Sequence, residues 1–381
     1  MWMKVITLLI LAAATFILAA ATFTLVAARI KAAPPVVSQS TNLLLVQMLF
    51  RHGARAPVKI FPTDPNPIEV WPEGLGGLTQ LGKRQHYTLG KYLRAFYFGF
   101  VTSNPNEVLV YSTSYRRCLQ SALANLAAFY APTDPRWVVE DGFDWQPVAV
   151  YYRDPAKDKY LSVNTDCPKL YKEMEKQFSS SDFKSEYGKH NNMFDALKLY
   201  GGLNSTDSYE ILSFYDAVLT EKYHGLIVPE WIEPYFDELK ELSDFIIYQW
   251  TNTLAQQRLL SGPFLGKMLE NMDNKISGKN DHLKVHMYSA HGINVASLLN
   301  ALGVYERNPP SAACVLIELH ETQVGPAVRL LYLNSTTMQD IATISPVLLK
   351  LQGCGEFCPM EHFRHFVQPI IPDDWNKECH T

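Results

Sequence analysis

Two arginines and a histidine stand close together in the run from Arg51 through His52 to Arg55 and Pro57. Guanidinium groups bind phosphate oxygens with paired hydrogen bonds, and a neutral imidazole can attack phosphorus. This spacing therefore indicates a site for a tetrahedral anion, with Arg51 and Arg55 as the clamp and His52 as the nucleophile.

The element that must position this run is the apolar stretch Leu43–Phe50 directly before it. A short, continuous apolar stretch is typical of a strand buried on both faces. Open α/β sheets place their ligands at the carboxyl ends of such strands. We therefore expect the run to begin the loop that leaves a core strand.

The run and its continuation resemble the signature of the histidine acid phosphatases, which include prostatic and lysosomal acid phosphatases, insect venom acid phosphatases and, more distantly, phytases. The resemblance covers nearly the whole chain after residue 40, and its further matches are Phe61–Pro65, Trp71–Gly74 and Gly77–Gly82. It implies hydrolysis of small phosphate monoesters through a phosphohistidine at His52, without a metal or an organic cofactor.

The resemblance also assigns roles to residues far from the run. Arg117, in a Ser- and Thr-containing stretch after a second strand, matches the third clamp residue. His291, which follows Ser289 and Ala290, matches a histidine that donates a hydrogen bond to a phosphate oxygen. Fixed positive groups of this kind stabilise the charge that spreads over the phosphoryl oxygens.

Gly292 departs from the family pattern, which has aspartate after this histidine. The aspartate gives a proton to the leaving alkoxide and then serves the water that cleaves the phosphohistidine. Glycine can do neither, and positioned acid–base groups typically contribute ~10²–10⁴-fold in rate. We expect a weakened phosphatase that hydrolyses aryl phosphates better than alkyl phosphates. The alternative is an inactive protein that keeps the fold and binds phosphate esters or another partner.

The order of the predicted elements indicates the fold class. A helix from Thr79 to about Tyr97 follows the first strand, and strand Val108–Tyr111 precedes a helix that runs to about Tyr130. This alternation predicts an α/β fold with a mostly parallel sheet flanked by helices. We assign residues 38–153 and 263–381 to this core. Residues 154–262 show helical stretches, one from Pro234 to Leu259, and predict the mainly helical cap that the family also has.

The N-terminal residues 1–33 read as a signal peptide or an uncleaved anchor, because Val5–Ala28 carries no charge. We expect a secreted protein, with a lysosomal or a membrane-anchored, lumen-facing form as alternatives. Contact with a membrane would require the uncleaved segment. Asn204 and Asn334 begin glycosylation acceptor motifs.

The chain has six cysteines, and an even count behind such a leader indicates disulfides. Cys354 and Cys358 could bind a metal instead of forming a disulfide, since their spacing is tolerable for zinc. However, no His/Cys pair lies nearby in the sequence at a distance that would complete such a site. The resemblance implies two disulfides, whereas the remaining two cysteines either pair or stay free. The implied pairs are Cys354–Cys358 and Cys167–Cys379; the remainder are Cys118 and Cys314.

The net charge of −4 and the lack of a basic run give no support to a nucleic-acid partner. Small phosphate monoesters are the expected partners. The resemblance also raises a homodimer as an expectation.

Overall fold

The computed structural model describes residues 41–162, 164–335 and 340–381. Its centre is an eight-stranded sheet in the order β3-β2-β4-β1-β5-β6-β7, with β8 paired to β6. The strands are β1 (Asn42–Arg51), β2 (Val108–Ser112), β3 (Val150–Tyr152), β4 (Val285–Ala290), β5 (Cys314–Thr322), β6 (Gly325–Leu333), β7 (Val347–Leu349) and β8 (Cys358–Pro359).

The half of the sheet formed by β1, β4, β2 and β3 is parallel, and the half from β1 through β5 to β7 is antiparallel. Helices pack on this sheet, so the predicted α/β class is confirmed. They are α1 (Gln80–Phe96), α2 (Arg116–Phe129), α9 (Gly262–Ile276), α10 (Gly292–Ala301) and α11 (Met360–Val367). The C-terminal helix α12 (Trp375–His380) packs instead into a small separate apolar cluster through Trp375 and Cys379.

Strand β1 lies at the middle of the molecule and is buried on both faces, as its continuous apolar sequence predicts. Val46, Met48 and Phe50 pack into the cluster formed with α1 and α2. Leu45 and Leu49 pack into the opposite cluster, with α9 and α10. Burial on both faces fixes the direction in which the chain leaves the strand at Arg51.

A second group of helices lies between β3 and α9. It consists of α3 (Pro168–Phe178), α4 (Ser181–Tyr187), α5 (Asn191–Gly201), α6 (Ser208–His224), α7 (Phe236–Gln249) and α8 (Leu254–Leu260). These helices supply most of a separate apolar cluster, which also contains Phe61 from the loop after β1. We call this group the cap helices.

The single helical stretch predicted from Pro234 to Leu259 is two helices, α7 and α8. The break falls at Thr251 and Asn252, because Thr253 caps α8. The Thr253 side chain accepts from the backbone N–H of Gln256, and the Gln256 side chain accepts from that of Thr253. This capping box is a strong start signal for a helix.

The predicted disulfides Cys167–Cys379 and Cys354–Cys358 are both formed. The first ties the start of α3, among the cap helices, to the C-terminal helix α12. Among the helices that the structure describes, none has the length and apolar character needed to cross a bilayer. The predicted leader, residues 1–33, lies outside the described residues.

Candidate active site

Loops from three neighbouring strands converge at one edge of the sheet. Strand β4 pairs in parallel with β1 and with β2, so the carboxyl ends of all three lie side by side. The backbone N–H of His52 donates to Ala290 O (3.0 Å), and that of Thr113 donates to Ser289 O (3.1 Å). The register therefore brings the predicted residues His52 and His291 together, with their ring centroids 5.6 Å apart.

The backbone of the first loop is fixed by the two helices behind it. A Cβ on Gly53 would lie 2.4 Å from the carbonyl oxygen of Gly82 in α1, so only glycine allows this approach. The N–H of Gly53 donates to Ser121 Oγ (3.1 Å), and that of Ala54 donates to Gln85 Oε1 (2.8 Å). The loop that carries His52 is therefore held on two sides.

His52 is buried, at 2% exposure, and its Nδ1 lies 2.9 Å from the carbonyl oxygen of Gly53. A carbonyl accepts, so this contact places the proton on Nδ1 and leaves the Nε2 lone pair for a nucleophilic role. Burial lowers the pKa of His52 well below 6.5, and the charges of Arg55, Arg51 and Arg117 lower it further. Burial and these charges therefore favour the neutral imidazole.

Three guanidinium groups surround this histidine. Arg51 Nη1 donates to Pro309 O (2.5 Å), and Arg117 Nη2 lies 3.4 Å from His291 Nδ1. The Nε atoms of Arg51, Arg55 and Arg117 are buried, and none has a hydrogen-bond partner within the described residues. An unsatisfied buried donor is costly, and more so when charged. Burial, followed by repulsion from Arg55, also lowers the pKa of Arg51 and Arg117. An anion bound among the three guanidinium groups would accept hydrogen bonds from the unsatisfied donors and would offset the repulsion between the arginines.

Arg117, rather than its neighbour Arg116, faces the site. Arg116 is exposed, whereas Arg117 is partly buried against the ring of Tyr115, with Cζ 4.6 Å from the ring centroid. This placement agrees with the predicted register.

His291 is buried between Arg117 and Thr113. Since Arg117 can only donate, Nδ1 of His291 is the acceptor, and Nε2–H is donated to Thr113 Oγ1 at 3.2 Å. Burial and then Arg117 lower the pKa of His291 to about 3, so this ring is also neutral. In this arrangement the predicted donation to a phosphate oxygen requires Nε2–H to leave Thr113.

Asp216 is the site residue that the sequence reasoning missed. It accepts from Arg55 Nη1 (2.8 Å) and Arg55 Nη2 (2.9 Å), although the two residues are 161 positions apart. It lies in α6, among the cap helices. Nothing in the local sequence distinguishes it from other acidic residues on a helix, so only the packing of α6 against the loop reveals it.

Gly292, where the family resemblance leads us to expect an aspartate, is the first residue of α10. A Cβ there would lie 3.3 Å from both Cδ and Nε of Arg51, so a side chain would enter the clamp. Glu318 and Asp281, two acids that could replace that aspartate in principle, lie elsewhere. Glu318 pairs in register with Val46, in the middle of β1, and the side chain of Asp281 is 80% exposed.

The two predicted glycosylation sites lie outside the cluster. Asn204 is exposed between α5 and α6, and Asn334 directly follows β6, while Thr336 of its acceptor motif is outside the described residues. Cys118 and Cys314 are unpaired and buried. The sulfur of Cys118 lies 3.8 Å from both ring nitrogens of His291, and burial raises its pKa to about 11, so it is a neutral thiol.

A buried carboxyl group of α6 lies beside a partly buried one in the loop after β1. Glu221 of α6 is fully buried, and its carboxyl lies beside that of Asp64. Burial, followed by Asp64, raises the pKa of Glu221 to about 8. The carboxyl of Glu221 is therefore protonated in acid.

The chain matches a known family over most of its described length. The family model described as "Histidine phosphatase superfamily (branch 2)" matches residues 42–333. Prostatic acid phosphatase of Rattus norvegicus is 34% identical over 355 residues, covering 90% of this chain and 90% of that protein. Lysosomal acid phosphatase of Xenopus laevis is 31% identical over 353 residues, covering 91% of this chain and 80% of that protein.

Solved structures share the fold at lower identity. The apo form of Hafnia alvei phytase superimposes with a TM-score of 0.68 at 18% identity and covers 91% of this chain and 99% of its own. The phytase of Citrobacter braakii gives a TM-score of 0.65 at 18% identity and covers 89% of this chain. These likenesses extend across the sheet and the cap helices.

Proposed function

The chain belongs to branch 2 of the histidine phosphatase superfamily, and from that premise we propose that it is an acid phosphatase-like phosphomonoester hydrolase of weakened activity. The nucleophile is His52, and the phosphate lies among Arg51, Arg55 and Arg117. The observation that carries the proposal is the set of three buried guanidinium Nε atoms around one neutral imidazole, each without a hydrogen-bond partner in the described chain.

The first step is phosphoryl transfer to the protein. Nε2 of His52 attacks phosphorus, the N–P bond forms, and the P–O ester bond breaks with its electron pair on the leaving oxygen. Charge on the phosphoryl oxygens is met by the arginines, which are already in place and need no reorganisation. His291 supplies a further N–H once the phosphate replaces Thr113 as its partner.

The second step hydrolyses the phosphohistidine. Water attacks phosphorus, the N–P bond breaks with its electron pair on Nε2 of His52, and inorganic phosphate is released while the proton of the water passes to solvent. The family pattern assigns proton transfer in both steps to the aspartate that Gly292 replaces. A phenolate leaves without protonation, so aryl phosphates should phosphorylate His52 normally. The phosphohistidine should then break down slowly.

A rapid-quench experiment with an aryl phosphate at about pH 5 tests this proposal. We expect a burst of about one phenolate per protein, followed by slow steady-state turnover. The phosphoprotein should be stable to alkali and labile to acid, as phosphohistidine is. His52→Gln should abolish both the burst and the phosphoprotein. A burst that persists in His52→Gln would refute the assignment of the nucleophile.

The second candidate is a protein that binds phosphate esters without hydrolysing them. Gly292 favours it, because the clamp is complete while the acid is lost. It predicts that inorganic phosphate binds and raises the melting temperature, but that an aryl phosphate gives neither a burst nor turnover. The same quench experiment therefore separates the two candidates.

The cellular location of the protein is also part of the proposal, and it follows from the N-terminal segment. We propose that residues 1–33 direct the chain into the secretory pathway, that Asn204 and Asn334 carry glycans, and that residues 154–262 act as a cap over the phosphate site. The two disulfides fit an oxidising compartment. Secretion is the favoured destination, with the lysosome as the alternative.

A further inference from the structure

One edge of the Arg55 guanidinium is already occupied by a carboxylate. Asp216 accepts from both Nη1 and Nη2, and Nη1 also donates to the carbonyl oxygen of Ala56 (3.0 Å). The side edge, which carries the buried Nε, remains for an incoming anion. The side chains of Arg55 and Asp216 are only 12% and 20% exposed, so water screens this pair weakly.

The charge of Asp216 also reaches the other two clamp residues. It acts to raise the pKa of Arg51 and of Arg117, against the larger lowering effects of burial and Arg55. Both site histidines are neutral. Among the described residues, three guanidinium charges and this one carboxylate therefore leave two positive charges, which match the two negative charges of a phosphate dianion.

Asp216 is held in place by further contacts of α6 with the core. Near one end of the helix, Glu210 accepts from Lys59 Nζ at 2.7 and 2.8 Å. At the other end, Nε2 of His224 forms a hydrogen bond with Thr79 Oγ1 (2.9 Å). Because both ends of the helix are attached, Asp216 stays beside Arg55 when an anion arrives and its charge opposes that anion.

We propose that Asp216 is an affinity-determining residue that weakens the hold of the site on phosphate and so allows the product to leave. The inference rests on the proposed function, since it concerns the same phosphate site. It extends that function by assigning a role to a residue of the cap helices that lies far from the clamp in sequence.

The test measures binding of inorganic phosphate by titration calorimetry to the wild type, Asp216→Asn and Asp216→Glu. Asparagine keeps the size and one acceptor but removes the charge, so we expect binding at least about tenfold tighter, equivalent to about 1.4 kcal/mol. Glutamate should restore weak binding. The gain should be larger at about pH 7.5, where phosphate is mostly a dianion, than at about pH 5, because a dianion feels the removed charge twice.

Glu210→Gln is the matched control, since it removes the other ion pair between α6 and the loop without touching the clamp. It should leave the phosphate affinity unchanged. If Asp216→Asn binds phosphate as weakly as the wild type, or more weakly, Asp216 only anchors the cap helices and the inference is wrong. Should Asp216→Asn fail to fold, as seen by circular dichroism, Asp216→Ser is measured in its place and judged by the same criterion.

Failure of the proposed function would look different. In that case His52→Gln would give the same result as the wild type with an aryl phosphate, whether or not the wild type binds inorganic phosphate. Phosphate binding by the wild type, with no change on substitution of Asp216, would overturn the inference alone.

Discussion

Replacing Gly292 with aspartate should restore the acid that alkyl phosphates require. The new Cβ would lie 3.3 Å from Arg51 Cδ, a tight contact with a flexible side chain that can yield by a few tenths of an ångström. An acidic residue in the first turn of a helix gains about 0.3–1 kcal/mol from the helix dipole. The fold should therefore accept the substitution, and the carboxyl should enter the clamp.

The size of the effect depends on the leaving group. A positioned acid contributes ~10²–10⁴-fold, or about 3–5 kcal/mol of barrier. For an alkyl phosphate we expect Gly292→Asp to speed phosphorylation of His52 by at least about 100-fold. For an aryl phosphate this step should change by less than about tenfold, because a phenolate leaves unprotonated. The steady-state rate with the aryl substrate should still rise, since breakdown of the phosphohistidine also needs the carboxyl.

Single-turnover quench measurements at about pH 5 separate the two steps for each substrate. Gly292→Asn is the matched control, because it fills the same space beside Arg51 without an acidic proton. If Gly292→Asn accelerates the alkyl substrate as much as Gly292→Asp does, the gain comes from filling space and the acid argument fails. Equal acceleration of phosphorylation for both substrates would refute it as well.

Three other predictions follow from the charges in and around the site. Arg117→Ala should weaken phosphate binding by at least about tenfold, whereas Arg116→Ala, its exposed neighbour, should not; calorimetry on both variants checks this. Glu221 has a pKa raised from 4.5 to about 8, so its contribution to stability is present below about pH 4.5 and is lost as the pH rises through about 8. Urea unfolding should show a loss of a few kcal/mol over this range that Glu221→Gln abolishes, and an equal loss in the variant would exclude Glu221 as its source. His291 has a pKa lowered from 6.5 to about 3, so the unliganded protein should lose stability as the pH falls from about 6.5, by at most about 1.4 kcal/mol per pH unit. His291→Asn should reduce that slope, and an unchanged slope would assign it to other groups.

The central half of the sheet was predictable because its signals are local. In the continuous apolar stretch before Arg51, apolar side chains point to both faces of the strand, so both faces must be shielded from water. Strand β1 is buried in this way. The break between α7 and α8 carried a local signal too, the Thr253–Gln256 capping box, which the apolar pattern of the surrounding residues obscured.

The ion pair between Arg55 and Asp216 had no such signal. Its partners are 161 positions apart, and their meeting depends on how α6 packs against the loop after β1. Helical periodicity identifies the buried face of α6 but not the element that faces it. The order of the strands in the sheet is likewise a tertiary property, so the meeting of His291 with His52 was foreseen only through the family resemblance.

Under the proposed function, binding and turnover rest on separable parts of this molecule. The clamp and the nucleophile leave the ends of core strands, so weakening them means disturbing the packing of β1, β2 and β4. Proton donation, in contrast, depends on one side chain at the first residue of α10, a position where glycine costs at most about 1 kcal/mol. A chain with Gly292 can therefore keep a fully built phosphate site, and phosphate affinity must be measured apart from turnover to judge what this protein does.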